Sequence, residues 1–220
     1  MTWKGSMTMT KDRDYADAGI LALRHRYREV QAAQLPAGRE IFIGTDSVPL
    51  RREGLFGGMC SIMLPQSMTD MDDMERMVRY PDRNRPPVIR TDADREAAVT
   101  FSLLPPEDDG ETKTAAAQLA GLRSDMKKIW KQNIFYDSGE VDADGIPVAW
   151  MDCKAYCLDG NLYSLIFLFR AQEQTVLGNF HCSFPRYDVW KPAVLKLLAT
   201  VQVQQGGADS SFTGGKFRIQ

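Results

Sequence analysis

GIPVAWMDCKAYCLDGNLYSLIFLFR, residues 145–170, decides the fold. It holds two strand-length runs, VAWMDCKAYCL and LYSLIFLFR, with only DGN (159–161) between them, which is room for a tight hairpin and nothing more. A third run, TVLGNFHCSF (175–184), follows with no helix intervening. Parallel strands need a crossover of a dozen or more residues, so consecutive strands this close predict an antiparallel meander. The class that follows is α+β, a central, mostly antiparallel sheet flanked by helices, not a doubly wound parallel sheet.

Working toward the N-terminus, strands are expected at 40–43, 47–51 and 55–64, the last closed by Pro65. A short helical turn at 68–78 precedes two strands, PVIRT and AVTFSLL, joined by the polar turn DADRE. After the loop PPEDDGE comes the best helix in the chain, ETKTAAAQLAGLRSDMKKIWKQN, whose stripe is Ala115, Leu119, Leu122, Met126 and Ile129. A last helix starts near Asp188 as N-cap, tolerates Pro192 in its first turn, and turns Trp190, Val194, Leu197, Leu198 and Val201 inward. Residues 11–34 read as another helix, with Ala16, Ile20, Leu23, Tyr27 and Val30 on one face. The organisation is an N-terminal extension (1–39) carrying that helix, a domain (40–203), and a Gly/Ser-rich, mobile tail (204–220).

The 220 residues are 44% hydrophobic and 25% charged, with 27 basic against 29 acidic side chains and a net charge of −2. That balance steers the molecule as a whole toward neither nucleic acid nor an acidic membrane, and leaves room only for a local patch. No apolar run reaches the ~18 residues of a membrane span, and the N-terminus lacks the apolar core of a signal peptide. Four cysteines without a framework spacing point to a reducing, cytoplasmic setting.

A strand ending in Pro65, then RYPDRNRPPVIRT (79–91) and VTFSLL, resembles the pattern of PsbP-like proteins of the Mog/PsbP type. So do residues 145–170, and LGNFHCSFPRYDVWKPAVLKLLATVQV resembles their last strand, aromatic link and C-terminal helix. The resemblance spans about residues 40–203 and is nearest to an uncharacterised cytoplasmic bacterial branch. It implies an α/β/α sandwich and a binding module: relatives include a photosystem extrinsic subunit, a Ran-binding import factor and secretion-effector chaperones. It carries no active site with it.

The residues themselves agree that no catalytic motif is present. Cys153 and Cys157 share a strand face but stand ~13 Å apart, too far for one zinc with bonds of about 2.3 Å. His181 and Cys182 face opposite ways, and no CxxC occurs. No metal or cofactor is expected. RYPDRNRPPVIRT reads as a proline-stiffened turn whose Arg79, Arg83 and Arg85 pair with the acids of DMDDME (70–75), and RHRYR (24–28) as a solvated helix face. No phosphate-loop spacing occurs, and no nucleic-acid or membrane partner is expected.

One strand face of 147–157 is small and apolar, while the other carries Val148, Trp150, Asp152, Lys154 and Tyr156. If the meander aligns, Trp150, Asp152, Lys154, Tyr156, Asn179 and His181 share one side of the sheet as a candidate binding surface. The plainer expectation is that the N-terminal helix covers that face, with Asp152 and Lys154 an ion pair. The leading expectation is a non-catalytic module for an unidentified protein or peptide. The alternatives are a small-molecule binder or weak hydrolase using the Trp150/His181 side, and a structural homo-oligomer exchanging terminal extensions.

Overall fold

The computed structural model describes residues 38–94, 96–105, 113–157 and 160–204. The helix expected at 11–34 and the tail beyond 204 lie outside them. Eleven strands and three helices follow along the described chain: β1 (Glu40–Ile43), β2 (Asp46–Leu55), β3 (Cys60–Pro65), β4 (Thr69–Asp70), α1 (Asp73–Arg79), β5 (Val88–Thr91), β6 (Ala97–Leu104), α2 (Ala115–Ile129), β7 (Ile134–Ala143), β8 (Ile146–Cys157), β9 (Gly160–Ala171), β10 (Gln174–Ser183), α3 (Tyr187–Leu198) and β11 (Gln202–Val203).

The main sheet has seven strands in the order β4-β5-β6-β10-β9-β8-β7, every neighbouring pair antiparallel. The meander is present, and the α+β architecture holds. A second sheet, β1-β2-β3-β11, was not foreseen as separate. It packs with α3 on one face of the main sheet, called the front, and shares one apolar core with it through Ile62, Leu64, Val99, Phe167, Phe180 and Val194. Arg90 of β5 bridges the sheets by donating to Glu53 Oε1 of β2 at 2.7 and 3.0 Å. On the opposite, back face, α2 packs Ala115 and Leu119 on Ala149, Met151, Ile166 and Leu168. Gly178 lets the layers close: a Cβ there would lie 2.0 Å from the Phe167 ring.

Four boundaries differ from expectation for physical reasons. The run 55–64 is not one strand, because Phe56–Gly58 is a 3₁₀ turn with Phe56 and Gly57 both at positive φ, and β3 starts only at Cys60. The strand β7 was missed altogether. Helix α3 is not capped by Asp188: a 3₁₀ turn, Phe184–Arg186, runs straight into it, and Asp188 sits in its first turn, where its charge suits the helix dipole. Ile129 leaves the α2 stripe and is 68% exposed. The helix begins on Thr114, whose hydroxyl accepts the Ala117 N–H at 3.2 Å.

Candidate functional site

Strand pairing fixes which side chains meet. Met151 of β8 lies opposite Ile166 of β9, which lies opposite Asn179 of β10. Cys153, Ser164 and His181 align in the same way. Asn179 and His181 therefore belong to the back face. Trp150 and Asp152 align through Phe167 and Leu165 with Gly178 and Phe180, on the front face. The six residues expected to share one side are split between two, because a one-residue difference in register moves every side chain of a strand to the other face.

The front-face group is mostly core. Trp150 and Asp152 are buried. Asp152 does not pair with Lys154. Its Oδ2 lies 2.9 Å from Lys191 Nζ of α3 and accepts the Tyr163 hydroxyl at 3.0 Å, while Oδ1 accepts the Asp137 N–H at 2.8 Å. Burial pushes this carboxyl up, and Lys191 with the donated hydrogen bonds pulls it back. Lys154 reaches the surface over the rings of Tyr156 and Phe184, 4.9 and 4.5 Å from their centres. The front face is covered by α3 and the second sheet.

The back face retains open space. Beside the footprint of α2, a cleft of about 680 Å³ is floored by Ser164, Asn179 and His181 and edged by Val78, Arg79 and Tyr80 at the end of α1. Tyr80 follows the last turn of α1, where its N–H bonds to Arg76 O at 2.9 Å. Its hydroxyl lies 3.0 Å from His181 Nε2. The Ser164 hydroxyl donates to Asn179 Oδ1 at 2.6 Å. Tyr80 lies over β10, and its partnership with His181 carried no sequence signal because 101 positions separate the two.

Electrostatics at the rim are balanced. Arg79 lies 3.2 Å from Glu75, and Arg186 donates to Glu96 at 2.7 Å. Of the pairings expected between the arginine loop and the acids before it, Arg79–Glu75 forms, while Asp70 is taken by Arg76 and Arg90. Asp82 closes the loop by accepting the Asn84 N–H at 2.8 Å. Burial lowers the His181 pKa from 6.5 to about 4, the Arg79 charge adding to the effect, and burial lifts the Tyr80 phenol to about 12. At neutral pH the floor is therefore an uncharged imidazole, a phenol, an amide and a hydroxyl.

Those groups can donate and accept hydrogen bonds to a ligand laid across them. Ser164, cross-strand from His181, spends its hydroxyl on Asn179, so no base is aligned to activate it. The Cys153 and Cys182 thiols are pushed up to about 11 and 12 by burial, which keeps them protonated and poor nucleophiles. Among the described residues, His181 Nδ1 is buried with no hydrogen-bond partner.

The depressed histidine makes a testable stability statement. Its folded pKa lies below its unfolded value, so the unfolded chain takes up a proton first as pH falls. The contribution is complete above pH 6.5 and is lost progressively toward pH 4. Between pH 6.5 and 5 wild type should lose about 2 kcal/mol more than a His181→Gln variant, at 1.36 kcal/mol per unit. Denaturant midpoints of both proteins across that range check it; parallel pH profiles would refute the burial of a neutral His181.

No family model matches the chain, and no curated protein does. Solved structures do. The fold is similar to the solution structure of cyanobacterial PsbP (CyanoP) from Synechocystis sp. PCC 6803, 14% identical, with 78% of this chain and 99% of that one covered and a TM-score of 0.52. The Ran-binding protein Mog1p of Saccharomyces cerevisiae is 11% identical, with 71% of this chain and 96% of that one covered and a TM-score of 0.48. Identities this low speak to architecture alone, and the architecture built above, an antiparallel meander under a C-terminal helix, is a PsbP-like fold.

Proposed function

We propose that this chain is a non-catalytic module that receives a protein or peptide segment in the back-face cleft. The observation that carries the proposal is the combination of an open, uncharged polar floor with an apolar lip. Helix α1 lines the cleft with Val78, 77% exposed, and also exposes Met74 and Met77, four and one positions before it on the same helix. A segment laid across the floor would find hydrogen-bonding groups below it and flexible methionines at its flank, the surface chemistry that adapts to a peptide. The hydrolase alternative loses its geometry, since Trp150 and His181 occupy opposite faces of the sheet. The exchange of terminal extensions rests on residues outside the described ones. All four cysteines are free thiols, in keeping with the reducing, cytoplasmic setting proposed for this module.

A photocrosslinking residue at Val78 should trap one stoichiometric partner from native lysate, and the same residue at Ser47, on the second sheet, should not. Met77→Glu with Val78→Glu should weaken capture about tenfold or more, as expected when apolar anchors are lost. Equal trapping at both positions, or capture unchanged by the double substitution, would remove the cleft from consideration.

A further inference from the structure

A second surface, independent of the cleft, lies where α2 ends and β7 begins. Its sequence is KKIWKQNI, residues 127–134. Ile129, Trp130, Ile134 and Tyr156 are all exposed, Trp130 by 44%. Backbone contacts link the segments that carry them, Ile129 and Trp130 ending the helix on the back of the sheet and Ile134 and Tyr156 standing on the front side of its edge. The Trp130 N–H closes the helix on Met126 O at 2.8 Å, and the Asn133 N–H returns to Trp130 O at 3.0 Å. Asn133 Oδ1 accepts the Tyr156 N–H at 3.3 Å, and Ile134 pairs with Lys154 across β7 and β8.

Lysines surround these side chains. Lys127, Lys128 and Lys131 are exposed, and Lys154 sits over the Tyr156 ring. The one carboxylate in the last two turns of α2, Asp125, is held by Lys128 at 2.9 Å. Hydrophobic side chains standing out from a helix end between cations are unfavourable in water and favourable where an apolar layer lies beneath an anionic one. Tryptophan and tyrosine prefer the boundary between those layers.

We propose that this end of the domain docks on an anionic lipid bilayer, with Ile129 and Trp130 entering the headgroup boundary and the lysines meeting the lipid charges. The shape favours a bilayer over an acidic protein. Ile129 and Trp130 project from a helix end with Lys127, Lys128 and Lys131 beside them in the chain, so apolar groups and cations are presented together, as an apolar layer beneath an anionic one requires. With a net charge of −2 for the whole chain, the attraction is local, and salt should weaken it over a screening length of about 8 Å at physiological ionic strength.

The experiment is co-sedimentation of the full chain with vesicles of phosphatidylcholine alone and of phosphatidylcholine mixed with phosphatidylserine. Binding should appear only with the anionic vesicles and fall as salt is added. Lys127→Gln with Lys131→Gln should weaken it about 25-fold, from about fivefold per lysine near a charged surface. Trp130→Ala should abolish it at concentrations where wild type is fully bound, with an unchanged unfolding midpoint because the ring is exposed. Tryptophan quenching by lipids brominated in the acyl chain should occur in wild type and disappear in Trp130→Phe, a variant that still binds. Equal binding to neutral vesicles, indifference to these substitutions, or no partition into either vesicle would overturn the proposal. Loss of an acidic protein partner by the same variants, in a chain that ignores both vesicles, would make the surface a protein interface instead.

Discussion

Asp152→Ala should cost the domain about 3–5 kcal/mol, the range for removing one partner of a buried ion pair. Asp152 and Lys191 are 2% and 1% exposed, so neither charge can retreat to water when the other is lost. The carboxylate takes Lys191 and the Tyr163 hydroxyl on one oxygen and the Asp137 N–H on the other. Its removal leaves the Lys191 ammonium with Asp137 Oδ2, 2.8 Å away, and the face of Trp150, 5.2 Å from the ring centre, and strips the acceptor from the buried Tyr163 hydroxyl and the part-buried Asp137 N–H. Asp152→Asn keeps an acceptor without the charge and should fall between wild type and Asp152→Ala. Asp152→Leu combined with Lys191→Met should recover most of the loss, because a well-packed apolar pair often replaces a buried ion pair at little cost. The measurement is urea unfolding of these four proteins, with Asp152→Leu and Lys191→Met added singly to close a double-mutant cycle. A loss under about 1 kcal/mol for Asp152→Ala, below the usual effect of deleting one ordinary hydrogen bond, would mean that α3 is not held to β7 and β8 through this pair.

The pair was hidden in the sequence for a reason that also governs the candidate site. Alternation along β8 correctly placed Trp150, Asp152, Lys154 and Tyr156 on one face. It said nothing about which face of β10 lies beside them, which depends on the lengths of the two hairpin turns between. Those turns align Asp152 with Leu165 and Phe180, so the charge faces α3 and meets Lys191, a residue whose sequence neighbours give no hint of burial. Asn179 and His181 carry polar groups that the sequence shows, yet their partners, Ser164 and Tyr80, become visible only once register is known.

Strand β7 shows the complementary failure. Its sequence, IFYDSGEVDA, lacks alternation because a bulge between Phe135 and Ser138 breaks the period and because an edge strand carries acids that discourage further pairing. A local signal did exist. Asp144 and Gly145, at φ 53° and 84°, form the two-residue turn between Ala143 and Ile146, and Asp-Gly is the strongest short hairpin signature. Read that way, the dipeptide places a strand before β8 without any reference to hydrophobicity. The long, apolar strands β8 to β10 and the stripe of α3 were legible because burial on both faces, or on one continuous face, leaves a periodic trace. The division into two sheets was not, since β3 and β5 read alike and only the turn and helix at 66–79 part them.

Trp190→Ala should also cost about 3–5 kcal/mol, the range for truncating a buried aromatic. Trp190 is 3% exposed and lies on the inward face of α3, with its ring 5.0 Å from that of Phe180 on β10 at an interplanar angle of 40°. One turn on, Val194, Leu197 and Leu198 continue the contact, so the indole sets the distance at which the rest of the stripe meets the sheet. Its Nε1 is buried without a hydrogen-bond partner. An unsatisfied donor of this kind costs about 1–3 kcal/mol, which opposes the gain from burying the ring. Trp190→Phe removes that donor while keeping most of the apolar volume, and should therefore lose much less than Trp190→Ala. If packing holds α3 in place, the order of stability is wild type, then Phe, then Ala, with the larger step at Ala. If Phe and Ala fall together, the indole itself is needed and the unpartnered nitrogen has an undetected role. The cleft at His181 lies across the sheet from Trp190, so partner capture per folded molecule should be the same in all three proteins. A Trp190→Ala protein that keeps the wild-type midpoint yet loses the partner would transfer the binding surface from the back face to α3.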